Sequence, residues 1–178
     1  MANSIKTLTW LAKSEGGLLL DRETIYLAGA MDGVSTKWAT EWRNQAKSSL
    51  ERYYNIIDPT AGKNLDEPGV HTSVYEPADI VLDDYDGVMK SNILLVDLRE
   101  IPFLQRLKNF IRTGHSDPPR VGTIIELAWA ISHEVVAFGG WAKHGYFMRF
   151  HVDERFDNLD DALIYLLARK DPHDGVID

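Results

Sequence analysis

In Asn92-Ile93-Leu94-Leu95-Val96 one asparagine leads into an apolar run of strand length with no polar residue alternating through it. A strand of that composition is expected to be covered on both faces, as in parallel sheets. Working outward, the β-rich run 24–28 ends at Gly29, and 54–57 is closed by Asp58-Pro59. Further strands are expected at 135–138 and 147–152. Between them fall helical stretches: 38–53, with Trp38, Trp42, Ala46 and Leu50 on one stripe, then 78–90, a short one at 103–111, and 122–133. A last helix, capped by Asn158 or Asp160, runs through Leu166, and the Gly-, Pro- and Asp-rich stretch 60–77 reads as a loop. Strands alternating with helices predict an α/β fold: a flavodoxin-like, Rossmann-like, mainly parallel sheet with helices on both faces. Ligands of such sheets bind beyond the C-terminal strand ends, where Gly29, Asp58, Asp97 and the start of the Gly122 helix should lie.

The chain has 178 residues, 44% of them apolar, enough for one domain with a substantial core. No apolar run approaches membrane-spanning length, and no membrane partner is expected. The first residues carry Leu8-Thr9-Trp10-Leu11 and Leu18-Leu19-Leu20, but Lys13 and Glu15 interrupt them and no small-residue cleavage site follows, so a signal peptide is not expected. Without cysteine there are no disulfides, thiolate metal sites or cysteine nucleophiles, which fits a cytoplasmic protein. The net charge of −8 argues against general nucleic-acid binding, which needs a basic face, and favours a small ligand. The six histidines show no ligand spacing, and the acidic cluster Asp83-Asp84-Tyr85-Asp86-Gly87 does not match a calcium loop, so no metal is expected. Phosphate-loop and dinucleotide-binding glycine patterns are both missing, which weakens ATPase and dehydrogenase readings.

Chemistry is concentrated in three segments: Tyr26-Leu27-Ala28-Gly29-Ala30-Met31, the acidic cluster, and Gly122-Thr123-Ile124-Ile125-Glu126. The first is a strand entering a small-residue turn, where a sugar or phosphate could approach the backbone; a plain strand-to-helix connection has the same composition. The cluster is equally consistent with a solvated helix face. In the third, a carboxylate in the first helical turn would be kept ionised by free N–H groups, as suits a nucleophile. Thr123-x-x-Glu126 also reads as a capping box, in which both side chains merely satisfy those groups.

Taken together, these segments resemble the nucleoside 2-deoxyribosyltransferase family. The matching stretches are 25–31, Trp42-Arg43, Ile57-Asp58-Pro59, Asp84-x-x-Gly87-Val88-x-x-Ser91-Asn92 with the strand after it, Gly122-Thr123-x-x-Glu126-x-x-x-Ala130, and Phe156-Asp157-Asn158-Leu159-Asp160-Asp161-Ala162-Leu163. The resemblance implies a domain over 24–170 between an N-terminal extension, 1–23, and a tail, 171–178. It implies no cofactor, and cleavage of the bond between deoxyribose and a nucleobase. Glu126 would attack the anomeric carbon, Asp84 would hydrogen-bond the base and help protonate it, and Tyr26 would orient the glutamate. Ala28, Gly29, Ala30, Met31, Asp58, Asp97, Gly122 and Thr123 would line the substrate pocket. A homo-oligomer acting on a nucleoside or nucleotide follows, with Ser35, Thr36, Arg43 or Arg120 as candidate phosphate contacts. Family members often have aspartate in place of Asn92, which predicts one altered polar contact. Hydrolysis of a nucleoside 5′-monophosphate and non-catalytic nucleotide binding are the alternatives.

Overall fold

The computed structural model describes residues 22–31, 34–62, 77–113, 121–140 and 146–170. Within them the chain runs β1 (Thr24–Gly29), α1 (Thr36–Leu50), β2 (Asn55–Ile57), α2 (Pro77–Lys90), β3 (Ile93–Asp97), α3 (Phe103–Thr113), α4 (Val121–Trp129), β4 (Glu134–Phe138), α5 (Tyr146–His151), β5 (Glu154–Phe156) and α6 (Leu159–Ala168). The five strands form one parallel sheet in the order β2-β1-β3-β4-β5, the flavodoxin-like order expected. The central strands β1, β3 and β4 are buried almost throughout, and the edge strands β2 and β5 are only partly covered.

Alternation along the strands divides the core. Ile25 and Leu27, Ile93 and Leu95, and Val136 and Phe138 face Trp42, Ala46 and Leu50 of α1 and Leu163 and Leu166 of α6. Tyr26 and Ala28, Leu94 and Val96, and Val135 and Ala137 face the other way, towards Val88 of α2, Leu127 of α4 and Met148 of α5. Every second residue of β1 therefore belongs to a different layer, which decides what each site residue can touch.

Three expectations are corrected. The strand expected at 147–152 is helix α5, with β5 following it: Met148 and Val152 are buried one helical turn apart, and the Val152 N–H bonds the Met148 carbonyl at 3.0 Å. The α1 stripe is Ala39, Trp42, Arg43, Ala46 and Leu50, capped by Ser35, whose hydroxyl accepts from the Trp38 N–H. Trp38 lies outside that stripe, half-buried beneath the Arg99 guanidinium at 4.5 Å. In α4, Thr123 is the third residue and Glu126 the sixth, so neither is a cap and the capping box does not form. For the same reason the helix start lends Glu126 little charge stabilisation, because that effect fades within the first turn.

Candidate active site

Tyr26 points from mid-β1 into the layer of α2 and α4. Its ring fits there because α2 has no side chain at Gly87: a Cβ at that position would stand 2.7 Å from Tyr26 Cε2 and 3.3 Å from Ile57 Cγ2. The Tyr26 hydroxyl donates to Glu126 Oε1 at 2.8 Å, a buried contact between residues 100 positions apart. Burial first, then the charges of Glu126 and Asp84, with hydrogen bonding to both carboxylates, push the phenol well above its ordinary value. Tyr26 is thus a neutral donor at any ordinary pH. Glu126 is only 4% exposed, and a carboxylate so buried costs several kcal/mol (about 3–5) unless hydrogen bonds and nearby charge offset it.

Beside Tyr26 lies a hollow of about 190 Å³ walled by Tyr26, Ile57, Asp58, Pro59, Ala61, Asp83 and Asp84. Asp83 is exposed and Asp84 half-buried, and of the pair it is Asp84 that acts on the Tyr26 phenol. Glu126 is not in the wall and connects to the hollow through Tyr26. The three residues expected to carry the chemistry therefore converge from β1, α2 and α4.

The remaining expected residues fall into other roles. Asp58 borders the hollow, but its Oδ1 takes the Thr60 N–H at 2.9 Å and the Thr60 hydroxyl at 2.6 Å, and Lys47 pairs with Oδ2 at 3.3 Å. Asp97 points into the α1 layer, fully buried, and binds the Arg99 side chain through both oxygens at 2.9 Å. Ala28 and Ala30 are buried and Met31 half-buried, while Thr123 is buried inside α4. Gly122 is exposed, and a Cβ there would meet nothing within 4 Å. Asn92 stands at the opposite end of the sheet, where its polar contact is to the backbone: it accepts the Thr24 N–H at 2.9 Å. Arg120 lies outside the described residues.

Arg43 is the residue whose role the sequence reading missed. It is fully buried, donating to the Gly29 carbonyl at 2.9 Å and to the Ala39 carbonyl, with Asp58 at 3.8 Å. A phosphate has no access to it. Burial lowers its pKa, opposed by Asp58, Glu126, Asp97 and Tyr26, so one guanidinium offsets the negative charge gathered at this end of the sheet. Its position in the buried stripe of α1 was the available signal. The same crowding explains Gly29, where a Cβ would lie 3.0 Å from Trp42 Cζ2 and 3.1 Å from Asp97 Cβ.

No protein-family model matches the sequence, and no curated protein sequence does. Solved structures do match. The CMP N-glycosidase of Clostridium botulinum aligns over 81% of this chain and 98% of its own at 14% identity and TM-score 0.50. A conserved protein from Enterococcus faecalis V583 aligns over 84% and 99% at 15% identity, with TM-score 0.56. The 2-desoxiribosyltransferase of Leishmania mexicana aligns over 82% and 97% at 15% identity, with TM-score 0.52. The chain shares the fold of these three proteins. At these identities the likeness is one of fold.

Proposed function

We propose that the protein cleaves the N-glycosidic bond of 2′-deoxynucleosides and passes the deoxyribose to another nucleobase through a glycosyl-Glu126 intermediate. The observation that carries this reading is the Tyr26–Glu126 hydrogen bond, made beside a hollow that Asp84 borders. A phenol that stays protonated favours the charged carboxylate, which is the nucleophilic form. Glu126 attacks the anomeric carbon while Asp84, as its acid, gives a proton to the departing base. The bond from sugar to base breaks as the ester to Glu126 forms, and an incoming base, deprotonated by Asp84, reverses the sequence. Fold neighbours with N-glycosidase and deoxyribosyltransferase activity support the reaction class. No cofactor enters this scheme. In it, 24–170 is the catalytic domain, flanked by 1–23 and 171–178. The working protein would be a cytoplasmic homo-oligomer in nucleotide salvage.

The test is chromatographic. The protein is incubated with each deoxynucleoside and its 5′-monophosphate, with and without a second free base. Exchange is expected with nucleosides, and Glu126→Gln should lower it by about 10³-fold or more. Base release without exchange would make the protein a hydrolase, and release only from monophosphates would make nucleotides its substrates. Thermal stabilisation by nucleotides with no release would leave a binding module and overturn the proposal.

A further inference from the structure

Helix α3 has a composition unlike the rest of this acidic chain. Its eleven residues, Phe103-Leu104-Gln105-Arg106-Leu107-Lys108-Asn109-Phe110-Ile111-Arg112-Thr113, include three cations and no acid. At 3.6 residues per turn the five apolar residues fall on one stripe ~120° wide. Arg106 and Lys108 flank that stripe on its two sides, each ~40° from its edge. Among the described residues nothing covers the stripe: Phe103 is 68% exposed, Leu104 70%, Leu107 43%, Phe110 55% and Ile111 77%. An open hollow of about 280 Å³ runs along this helix, between Phe103, Arg106, Leu107 and Phe110.

We infer that α3 is an interfacial anchor that seats the protein on an anionic lipid bilayer. A short helix with strong segregation of apolar and basic residues and low overall hydrophobicity lies in the plane of the headgroups, its apolar face in the acyl boundary. Exposed Lys108 is placed to extend its alkyl stem along the stripe and its charge to the phosphates, with half-buried Arg106 at the other edge. No described helix is long and apolar enough to cross a membrane, and this mode of attachment requires none. Charge favours this occupant over a second copy and over the N-terminal segment. Two copies meeting face to face would oppose their own cations. The segment 1–21, with Lys6 and Lys13 against Glu15 and Asp21, is neutral on balance and offers no net complementary charge. The inference uses no part of the proposed catalytic reading, so either can fail alone.

Vesicle co-sedimentation of the full chain tests it. Vesicles of phosphatidylcholine with about 30% phosphatidylglycerol should bind the protein some 100-fold more tightly than phosphatidylcholine alone. About 0.5 M salt should remove most of that preference. Leu107→Glu with Phe110→Glu should abolish binding, and Arg106→Glu with Lys108→Glu should abolish the preference for anionic vesicles. All four positions lie outside the two core layers, so the thermal midpoint should be unchanged, and the salt series on the wild type needs no variant. Failure to bind anionic vesicles, or binding that survives Leu107→Glu with Phe110→Glu, overturns the inference. So does concentration-dependent self-association that those two substitutions remove, which would put a second copy on the face.

Discussion

Tyr26 and Gly122 separate structural from chemical demands at single positions. Tyr26→Phe removes one hydroxyl from a buried contact and leaves Glu126 Oε1 without that donor. If the phenol holds the carboxylate charged, turnover should fall by about 10- to 100-fold, and the acidic limb of the pH–rate profile should move to higher pH. A purely structural hydroxyl would change the melting temperature and leave that limb in place. Gly122 works in the opposite sense. It sits inside α4 with open space where a Cβ would go, so Gly122→Ala should stabilise the helix by about 0.5–1 kcal/mol. A bound sugar passing close to that backbone predicts a raised KM in the same variant, measurable by initial rates.

At the level of elements, α2 is set against β1 by one absent methyl group. Gly87→Ala drives a carbon to within 2.7 Å of the Tyr26 ring, so either α2 lifts or the ring turns. Overpacking of this kind costs about 1–3 kcal/mol, and both responses separate Tyr26 from Asp84. The expected result is a lower melting temperature together with a loss of turnover larger than the stability change explains. In α1, Arg43→Met removes the cation held between the Gly29 carbonyl, the Ala39 carbonyl and Asp58. Leaving those acceptors and the surrounding carboxylates unbalanced should cost about 3–5 kcal/mol in denaturant unfolding. Residues of this kind mark where sequence reading ran out. The apolar run ending at Val96 announced a covered strand, and the small-residue turn at Gly29 announced close approach. At Arg43 the helical spacing from Ala39 and Ala46 was the one local signal, and its charge outweighed it, since an arginine beside a tryptophan is ordinary on a helix surface. β5 was missed because its residues, Glu154-Arg155-Phe156, are at most partly buried at a sheet edge and carry no apolar signature. Tyr26, Asp84 and Glu126 could be named from the resemblance; their convergence comes from sheet order and alternation.

Across the whole molecule, the beginning and end of the described chain are held together away from the site. Tyr54, after α1, donates to the Leu166 carbonyl of α6 at 2.7 Å, and Lys170 pairs with Glu23 at 2.6 Å. Burial, with Glu23, Glu134 and Tyr165 adding to it and Arg169 opposing it, pushes the Tyr54 phenol up to about 12. Its unfolded value is near 10, so the native state holds that proton more tightly. The stabilisation is complete below pH 10 and is lost as pH rises towards 12. Unfolding free energy should therefore decline over that window. Tyr54→Phe, at a cost of about 1 kcal/mol at neutral pH, should flatten the decline.

The bond from Tyr26 to Glu126 joins positions a hundred residues apart, with α2 and its aspartate inserted between them in the chain. No hairpin or single strand–helix unit can hold it, so a nicked fragment or a half-assembled sheet would be chemically silent. During refolding, helix signals should return before base release does, because the reacting groups meet only when the last central strands have joined. On the proposed function, catalysis would double as a clock for the completion of the protein's own architecture.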